Sequence, residues 1–404
     1  MLLKLAWRNI WRNERRTVIS VLALALGVTA IVSLYSVREL AYAEMIRGVT
    51  RGLVGNVQVH GRGYQDSPDM TTVVRDPLAV EARLEGALPG ARAERRVIGA
   101  GLASAGDVST AVVVMGIEPG AGSEAALTLQ KGRMLVASPA HAVLVGTALA
   151  NELGLVPGGD VVLVGQAADG SLANDRFTVA GVADTGSSEA NAGTVFLPLA
   201  DAQSFFALGQ CVHQVVVRLP TDGEDLSQPV SLLRGALDLS ALEVLPWTEI
   251  LPELKTAMDD KRKNQGLISL IVFLIVALGI LNTMTMSTFE RTREFGVLAS
   301  LGTRRGRILS MVVLEALLQG LIGFGAGLAL AWALLHGIGT ADLSGLTGGG
   351  DVLGAPMPGA LRLVVHPESV ASAGVTTILT MLAGGLLPAI RASRLKPVEA
   401  TRYV

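Results

Sequence analysis

The chain has 404 residues, of which half are hydrophobic and only 17% are charged, and its mean hydropathy is +0.49. A soluble globular chain carries about 25% charged residues, so the deficit indicates membrane segments. The net charge of −2 argues against a globally basic nucleic-acid-binding surface, and the single cysteine, Cys211, rules out an intramolecular disulfide. The five histidines are scattered without metal-ligand spacing, so no metal site is expected.

The first 16 residues form a basic leader. Leu3, Trp7, Ile10 and Trp11 recur at helical spacing, with arginines on the opposite face. Tryptophan favours the membrane–water interface, so the pattern predicts a cytoplasmic interfacial helix over 1–16, and a disordered basic leader is the alternative.

A first transmembrane helix is predicted over 17–40. Thr17–Val37 contains no charged residue, and a helix needs about 20 apolar residues to cross a bilayer. A cleaved signal peptide is the alternative, but its apolar region usually has about 7–15 residues, which is shorter than this run.

Residues 41–265 contain 17 Lys/Arg and 26 Asp/Glu, in contrast to the charge-free run before them. They predict a large extracytoplasmic α+β domain. Mixed strands and helices suggest two subdomains. The predicted strands are Asn56–His60, Val97–Leu102, Thr110–Gly116, Ala142–Gly146, Val161–Gly165, Phe177–Val182 and Val212–Leu219. The predicted helices are Pro77–Leu88, Thr147–Leu155, Leu199–Leu208, Pro229–Leu239 and Ile250–Lys263. An acidic face could attract a basic partner, and a solvated acidic surface is the alternative.

Three more transmembrane helices are predicted, over 266–289, 308–336 and 369–390. Lys and Arg concentrate in the leader, in the link 290–307 and in the tail 391–404, whereas the loop 337–368 contains only Arg362. Positive charge marks the cytoplasmic side, so both termini are expected to be cytoplasmic and 41–265 and 337–368 to lie outside.

No catalytic constellation is present. The Gly-rich run 156–161 lacks the Gly-Lys-Ser/Thr ending of a phosphate loop, and we expect this chain to be no enzyme.

Two motifs at the ends of spans carry a specific resemblance. The run 290–305 reads Glu-Arg-Thr-Arg-Glu-Phe-Gly-Val-Leu-Ala-Ser-Leu-Gly-Thr-Arg-Arg, and 388–400 reads Pro-Ala-Ile-Arg-Ala-Ser-Arg-Leu-Lys-Pro-Val-Glu-Ala. Both resemble the FtsX-like permease domain of ABC transporters. The run 143–161 is similar to the MacB-type periplasmic domain. Within this superfamily, 6–13 and 55–64 look like the lipoprotein-releasing LolC/LolE branch, although no segment matches the loop with which that branch holds its carrier.

The resemblance implies that 290–307 is a cytoplasmic coupling helix that contacts an ATPase, and a connecting loop is the alternative. Phe295, Leu298 and Leu301 fall on one helical stripe that could fit a groove on an ATPase subunit. The residues assigned to coupling are Glu290, Arg291, Arg293, Glu294, Phe295, Leu298, Leu301, Arg304 and Arg305.

Polar residues are scarce within the spans, which argues against a substrate path through them. Those present are Asn282, Glu315 and Gln319. A buried Glu315 should be paired or protonated, and Arg291 or Arg293 is the candidate partner.

Small residues form flat helix surfaces that allow close approach, either within the chain or at a dimer seam. They are Gly320, Gly323, Gly327, Gly384 and Gly385.

The resemblance therefore implies a permease subunit in a bacterial inner membrane that transmits ATPase motion to a periplasmic domain. It implies no cofactor on this chain, with ATP and Mg held by a partner ATPase, and a second permease copy or paralogue. Lipoprotein, or another lipid-anchored substrate, is the expected cargo, with a periplasmic carrier or adaptor as a further partner besides membrane lipid. Two alternatives remain, a MacB-like efflux permease for peptides or drugs and an FtsX-like regulator of a cell-wall hydrolase.

Overall fold

The structure is a computed structural model that describes residues 2–137, 141–220, 225–301, 303–338 and 365–393. Most of the predicted loop 337–368 and most of the tail 391–404 lie outside the described residues, as does Gly302. The chain divides into two compact units. In the described residues, one unit consists of 2–41, 257–338 and 365–393, and the other of 42–256.

Helices form the first unit. They are α1 (Leu2–Ile10), a short 3₁₀ turn (Trp11–Asn13), α2 (Glu14–Arg51), α10 (Pro252–Glu290), α11 (Thr292–Ser300), α12 (Arg305–Ile338) and α13 (Pro367–Ser393). The unit boundaries fall inside α2 and α10. Four helices contain stretches that are long and apolar enough to cross a membrane: Thr17–Arg51, Leu270–Glu290, Arg305–Gly337 and Pro367–Ile390. The four predicted spans are thus confirmed as helices of transmembrane length.

Two boundaries differ from the prediction. Most of the expected helix Ile250–Lys263 and the second predicted span, 266–289, form one continuous helix, α10. Gln265 and Gly266 do not interrupt it, because one glycine costs only about 1 kcal/mol in a helix while the apolar residues that follow continue it. Likewise, α2 extends to Arg51, well past the apolar run that ends at Val37.

The second unit is a mixed α/β domain. Its strands are β1 (Val57–Gly61), β2 (Arg92–Ala105), β3 (Val108–Ile117), β4 (Thr128–Gly132), β5 (Ala142–Gly146), β6 (Asp160–Gln166), β7 (Leu172–Asp184), β8 (Thr194–Pro198), β9 (Gln214–Arg218) and β10 (Leu242–Pro246). Its helices are α3 (Pro77–Ala87), α4 (Gly122–Ala125), α5 (Thr147–Glu152), α6 (Ser188–Gly193), α7 (Leu199–Phe205), α8 (Ser227–Ala236) and α9 (Trp247–Ile250).

All seven predicted strands exist, and β4, β8 and β10 were missed. The strand order is β10–β1–β9–β2–β3–β8–β5–β7–β4, with β6 pairing with both β2 and β7. The long strand β2 joins the two parts of this sheet, because Arg92–Arg96 pairs with β9 and Val97–Ala105 pairs with β3. The pairs β3–β8 and β5–β7 are parallel, whereas the other pairs are antiparallel.

A buried ionic cluster ties the end of α2 to this sheet. Glu94, on β2, is 2% exposed and accepts hydrogen bonds from Arg218 and from the backbone N–H of Ser123. Arg96 is fully buried and donates to the carbonyl of Leu53 and to the Ser123 hydroxyl. Arg218 donates to the carbonyl of Gly52 over 2.9 Å. The two arginines thus satisfy the carbonyl groups of the two residues that directly follow α2.

Candidate functional site

The candidate site is the polar network that joins α1, α11 and α12 within the helical unit. Arg291 is buried, and its Nη1 lies 2.7 Å from Oε2 of Glu315 on α12. The expected pairing of Glu315 with Arg291 is therefore present. The other oxygen, Oε1, accepts from Nδ2 of Asn9 at 2.6 Å, a contact that the sequence did not reveal because Asn9 lies 306 positions away.

A second carboxylate extends this network. Glu294 accepts from Nε of Arg291 at 3.2 Å and also from the guanidinium of Arg12, which follows α1. Burial raises the pKa of Glu294, but the hydrogen bonds from Arg12 and Arg291 outweigh this effect and leave the pKa below its usual value. Hydrogen bonding to Glu294 in turn raises the pKa of Arg12. Both side chains are therefore charged at neutral pH, and the leader is held to α11 by a charged pair.

The apolar stripe expected on the coupling helix is largely used inside the protein. Phe295 is 1% exposed and packs with Ile308, Met311 and Ala389, and Leu298 packs against the same cluster. Leu301 differs, because its side chain is 77% exposed. The prediction that all three residues form one outward stripe is wrong, since the first two cover the beginning of α12.

The outward face of α11 consists of other residues at helical spacing. Glu290, Arg293, Val297 and Leu301 are all exposed, and Arg304 and Arg305 follow them. Val297 is 46% exposed. This "outer stripe", Arg293, Val297 and Leu301, combines one arginine with two apolar side chains.

An open groove of about 1220 Å³ adjoins the network. Three elements line it: α1, through Leu3, Leu5 and Asn9; α11, through Glu294 and Val297; and the start of α12, through Arg307, Ile308 and Met311. Apolar walls with charged residues at the rim are the properties of a site that accepts an amphipathic protein segment.

The leader is helical as predicted, but its contacts differ from the expected pattern. Ala6 and Ile10 are buried, whereas Leu3, Trp7 and Trp11 are 45–61% exposed. The two tryptophan rings lie 6.1 Å apart between centroids. The leader therefore packs through a narrow face and leaves most of its large apolar side chains outward.

The other polar residues of the spans do not join the network in the same way. Gln319 is half-buried one turn after Glu315 on α12, and the Asn282 side chain is exposed on α10. Arg293 points outward and is not the partner of Glu315.

The glycines pack inside the chain. A Cβ atom at Gly323 would lie 2.4 Å from Leu24, and one at Gly327 would lie 2.6 Å from Val28 of the same helix, α2. Gly320 faces Met381, Gly385 faces Ala316, and Gly384 is buried. Thr29 also donates to the carbonyl of Gly327 over 3.1 Å. Of the two alternatives, the structure thus shows intramolecular packing.

Among the described residues, no group of three or more His, Cys, Asp or Glu side chains could hold a metal ion. The second unit, residues 42–256, is called the outer unit below. It contains a buried aromatic cluster, in which Tyr64 lies against His60 and His213 with ring centroids 5.2 and 5.6 Å apart. Burial lowers the pKa of His60 to about 4 and also lowers that of His213. The scattered histidines of the sequence gave no sign of this cluster.

Four spans and this outer domain define the class, an integral membrane permease. The family model of the MacB-like periplasmic core domain matches residues 17–234, and that of the FtsX-like permease C-terminal domain matches residues 266–397. The chain belongs to the MacB-like, FtsX-type family of ABC transporter permeases.

Curated relatives match along most of the chain. The macrolide export ATP-binding/permease protein MacB of Hahella chejuensis is 24% identical over 420 residues, covering 98% of this chain and 59% of its own length. The chain thus spans less than two thirds of that relative. An uncharacterized ABC transporter permease, YknZ of Bacillus subtilis, is 34% identical over 141 residues, covering 34% of this chain and 30% of its own length. These similarities support the superfamily and do not confirm the LolC/LolE branch.

Two solved structures resemble the outer unit. The periplasmic region of MacB from Actinobacillus actinomycetemcomitans has a TM-score of 0.37 at 14% identity and covers 51% of this chain and 95% of its own. The extracellular domain of YknZ has a TM-score of 0.32 at 15% identity and covers 47% of this chain and all of its own.

Proposed function

We propose that this chain is the permease subunit of an ATP-driven ABC transporter and that α11, α1 and the groove between them bind the ATPase. The observation that carries this proposal is the outer stripe beside the groove, held in place by the Arg291–Glu315 pair and by the Arg12–Glu294 pair. In this proposal, ATP and Mg²⁺ are bound by the ABC ATPase, as the similarity to ABC transporter permeases suggests.

Orientation follows from the basic residues. Arg293, Arg304, Arg305 and Arg307 are exposed around α11, and the leader carries further arginines. Since positive charge marks the cytoplasmic side, the groove would face the cytoplasm, both termini would be cytoplasmic, and the outer unit would lie in the periplasm. In this arrangement, a motion of the ATPase reaches α1, α11 and α12 together, because the polar network joins them.

The outer unit is the proposed site of substrate action, since the spans offer few polar side chains to a substrate. The similarity to the macrolide export protein MacB along 98% of this chain favours a MacB-like efflux role. A peptide or a drug is the proposed substrate, with an adaptor as a further partner. A paired permease copy is part of this proposal.

Lipoprotein release from the inner membrane, with a periplasmic carrier, is the second candidate. It is favoured by the sequence runs 6–13 and 55–64. In the first run, Asn9 has a structural role as the partner of Glu315. An FtsX-like regulator of a cell-wall hydrolase is a third candidate, and it shares the same ATPase contact.

Co-purification from native membrane tests the ATPase contact. Val297→Asp and Leu301→Asp place a charge on the outer stripe, so we expect the yield of associated ABC ATPase to fall at least tenfold. Leu172→Asp is the matched control, because Leu172 is 74% exposed on β7 of the outer unit. An unchanged ATPase yield in both stripe variants would reject the proposed contact.

The substrate is tested in the same preparation. Proteoliposomes that contain the permease and its ATPase are supplied with a lipidated peptide or with a macrolide. ATP-dependent release of the peptide supports the lipoprotein role, and ATP-dependent movement of the macrolide supports the MacB-like role.

A further inference from the structure

Three arginines converge on one groove of the outer unit. Arg62 follows β1, Arg75 precedes α3, and Arg83 lies within α3, yet all three line an open groove of about 630 Å³. They are the only basic residues between positions 52 and 91, and that stretch contains five acidic residues. Of those five, only Asp76 lines the groove. The fold has therefore collected the positive charge of this stretch on one side and placed most of the negative charge elsewhere.

The backbone that carries these arginines is held by specific contacts. Val74 bridges to Val212 through a 2.7 Å hydrogen bond, and the carboxylate of Asp76 caps α3 by accepting from the N–H of Ala79 at 3.0 Å. Gly61 packs closely against the segment that contains Val73. A Cβ atom at Gly61 would lie only 3.0 Å from the carbonyl oxygen of Val73. The three arginines thus project from fixed positions and not from a long flexible loop.

The side chains of the groove are donors in excess. Nη1 of Arg62 donates to the carbonyl of Leu239 at 2.7 Å, which orients the guanidinium and uses one of its five N–H donors. Thr71, Thr72 and Ser240 place hydroxyl groups at the groove wall. Those of Thr71 and Ser240 already donate to Asp69 and Asp238, so the arginines supply the donors of the groove.

Three carboxylates lie near the arginines, and each is engaged by groups of its own segment. Asp76 is the cap of α3, Asp69 accepts from the N–H of Thr71 at 2.7 Å, and Asp238 accepts from the N–H and the hydroxyl of Ser240 at 3.0 and 2.7 Å. The hydrogen bonds of these carboxylates are therefore not made with the three arginines, whose guanidinium groups keep donors for an anion.

We propose that this groove binds the phosphate group of a small anionic ligand, either a lipid headgroup or a free phosphate compound. Guanidinium groups form paired hydrogen bonds with phosphate oxygens, and arginine is the residue preferred for that geometry. The volume lies within the roughly 300–1,000 Å³ of small-molecule sites, so the groove can hold more than the phosphate alone. The site does not depend on the ATPase contact proposed above, and either proposal could fail while the other holds.

Isothermal titration calorimetry on the full chain in detergent tests the site. The probes are inorganic pyrophosphate, as a free phosphate compound, and dihexanoyl phosphatidic acid, as a soluble lipid headgroup. We expect at least one probe to bind, and the double variant Arg75→Gln/Arg83→Gln to weaken that binding by about tenfold or more. Arg176→Gln is the matched control and should bind as the wild type does, because Arg176 is an exposed arginine on β7.

Tighter binding of the phosphatidic acid assigns the site to a lipid headgroup, and tighter binding of pyrophosphate assigns it to a free compound. Three results would overturn the proposal: no binding of either probe up to about 1 mM, equal binding by the double variant, or equal weakening by Arg176→Gln. An unchanged thermal transition of the variants shows that a loss of binding is not a loss of folding.

Discussion

The guanidinium of Arg291 and the carboxylate of Glu315 form a buried ion pair, with Nη1 and Oε2 2.7 Å apart. The pair joins the residue that follows α10 to the third turn of α12. Both side chains are 8% exposed. A buried pair is costly to break, because removal of one partner leaves the other charge uncompensated.

The first prediction concerns this pair. Arg291→Met should destabilise the protein by about 3–5 kcal/mol, because it leaves Glu315 buried without its arginine. The double variant Arg291→Met/Glu315→Leu should recover most of that loss, since no buried charge remains. Thermal unfolding in detergent, followed by tryptophan fluorescence, measures both. If the double variant is no more stable than the single variant, the pair does not account for the effect.

The second prediction concerns Arg12 and Glu294, whose side chains are 53% and 42% exposed. Pairs as exposed as this contribute little to stability, so Arg12→Glu should change the unfolding free energy by less than about 1 kcal/mol. Under the proposed function, however, the same variant should reduce ATPase stimulation by the permease, because the leader is released from α11.

The charge-swapped variant Arg12→Glu/Glu294→Arg restores the attraction and should restore the stimulation. ATP hydrolysis by the reconstituted complex is the measurement. Full stimulation in Arg12→Glu alone would contradict a role for the pair in coupling.

The third prediction concerns close packing of α12 on α2. Gly323→Ala and Gly327→Ala place a methyl group against Leu24 and Val28, and overpacking of this kind costs about 1–3 kcal/mol. Gly325→Ala is the control, because open space surrounds its Cβ position on the same helix. The unfolding temperature should fall for the first two variants and not for the third. Alanine has the higher helix propensity, so a similar decrease in all three variants would show that close packing at Gly323 and Gly327 is not the cause.

The fourth prediction concerns the buried cluster of the outer unit. Glu94→Gln removes the carboxylate that compensates Arg96 and Arg218, and should cost about 3–5 kcal/mol. Glu85→Gln, at an exposed position on α3, is the control and should be neutral within about 0.5 kcal/mol. Hydrogen exchange at residues 48–56 should also accelerate in Glu94→Gln, because both arginines hold carbonyls at the end of α2. Unchanged hydrogen exchange at these residues would show that the cluster does not stabilise the end of α2.

The fifth prediction concerns pH. The pKa of His60 is about 4 in the folded protein and about 6.5 in an unfolded chain, because burial disfavours the charged ring. Between these values the unfolded chain binds more protons, so stability is lost as pH falls from about 6.5 to about 4. At pH 5, His60 alone should lower the stability by about 2 kcal/mol relative to pH 7.5.

His60→Gln should flatten this part of the stability–pH curve. His141→Gln is the control, because His141 has an exposed side chain. Chemical denaturation from pH 4.5 to 8 provides the measurement, and an equal slope in the wild type and in His60→Gln would refute the assignment.

The sequence alone determined the features that depend on neighbouring residues. Apolar runs of about 20 residues with at most one charge predicted four spans. Short β-rich runs predicted seven strands, and two motifs at the span ends predicted the family. The missed strands β4, β8 and β10 show what local sequence does not reveal. Strand β4, for example, is short and exposed, and its pairing with β7 is needed to make it a strand.

Tertiary structure decided which residues meet. The sequence suggested Arg291 or Arg293 as the partner of Glu315. Only the path of the chain after α10 turns Arg291 inward and Arg293 outward. Asn9, Arg12 and the coupling region are separated by almost 300 residues, so no local pattern could place them together. The apolar stripe of α11 was visible, but periodicity shows only that a helix has an apolar face. Whether that face covers α12 or remains open for a partner depends on where the helices pack, and packing is a property of the whole chain.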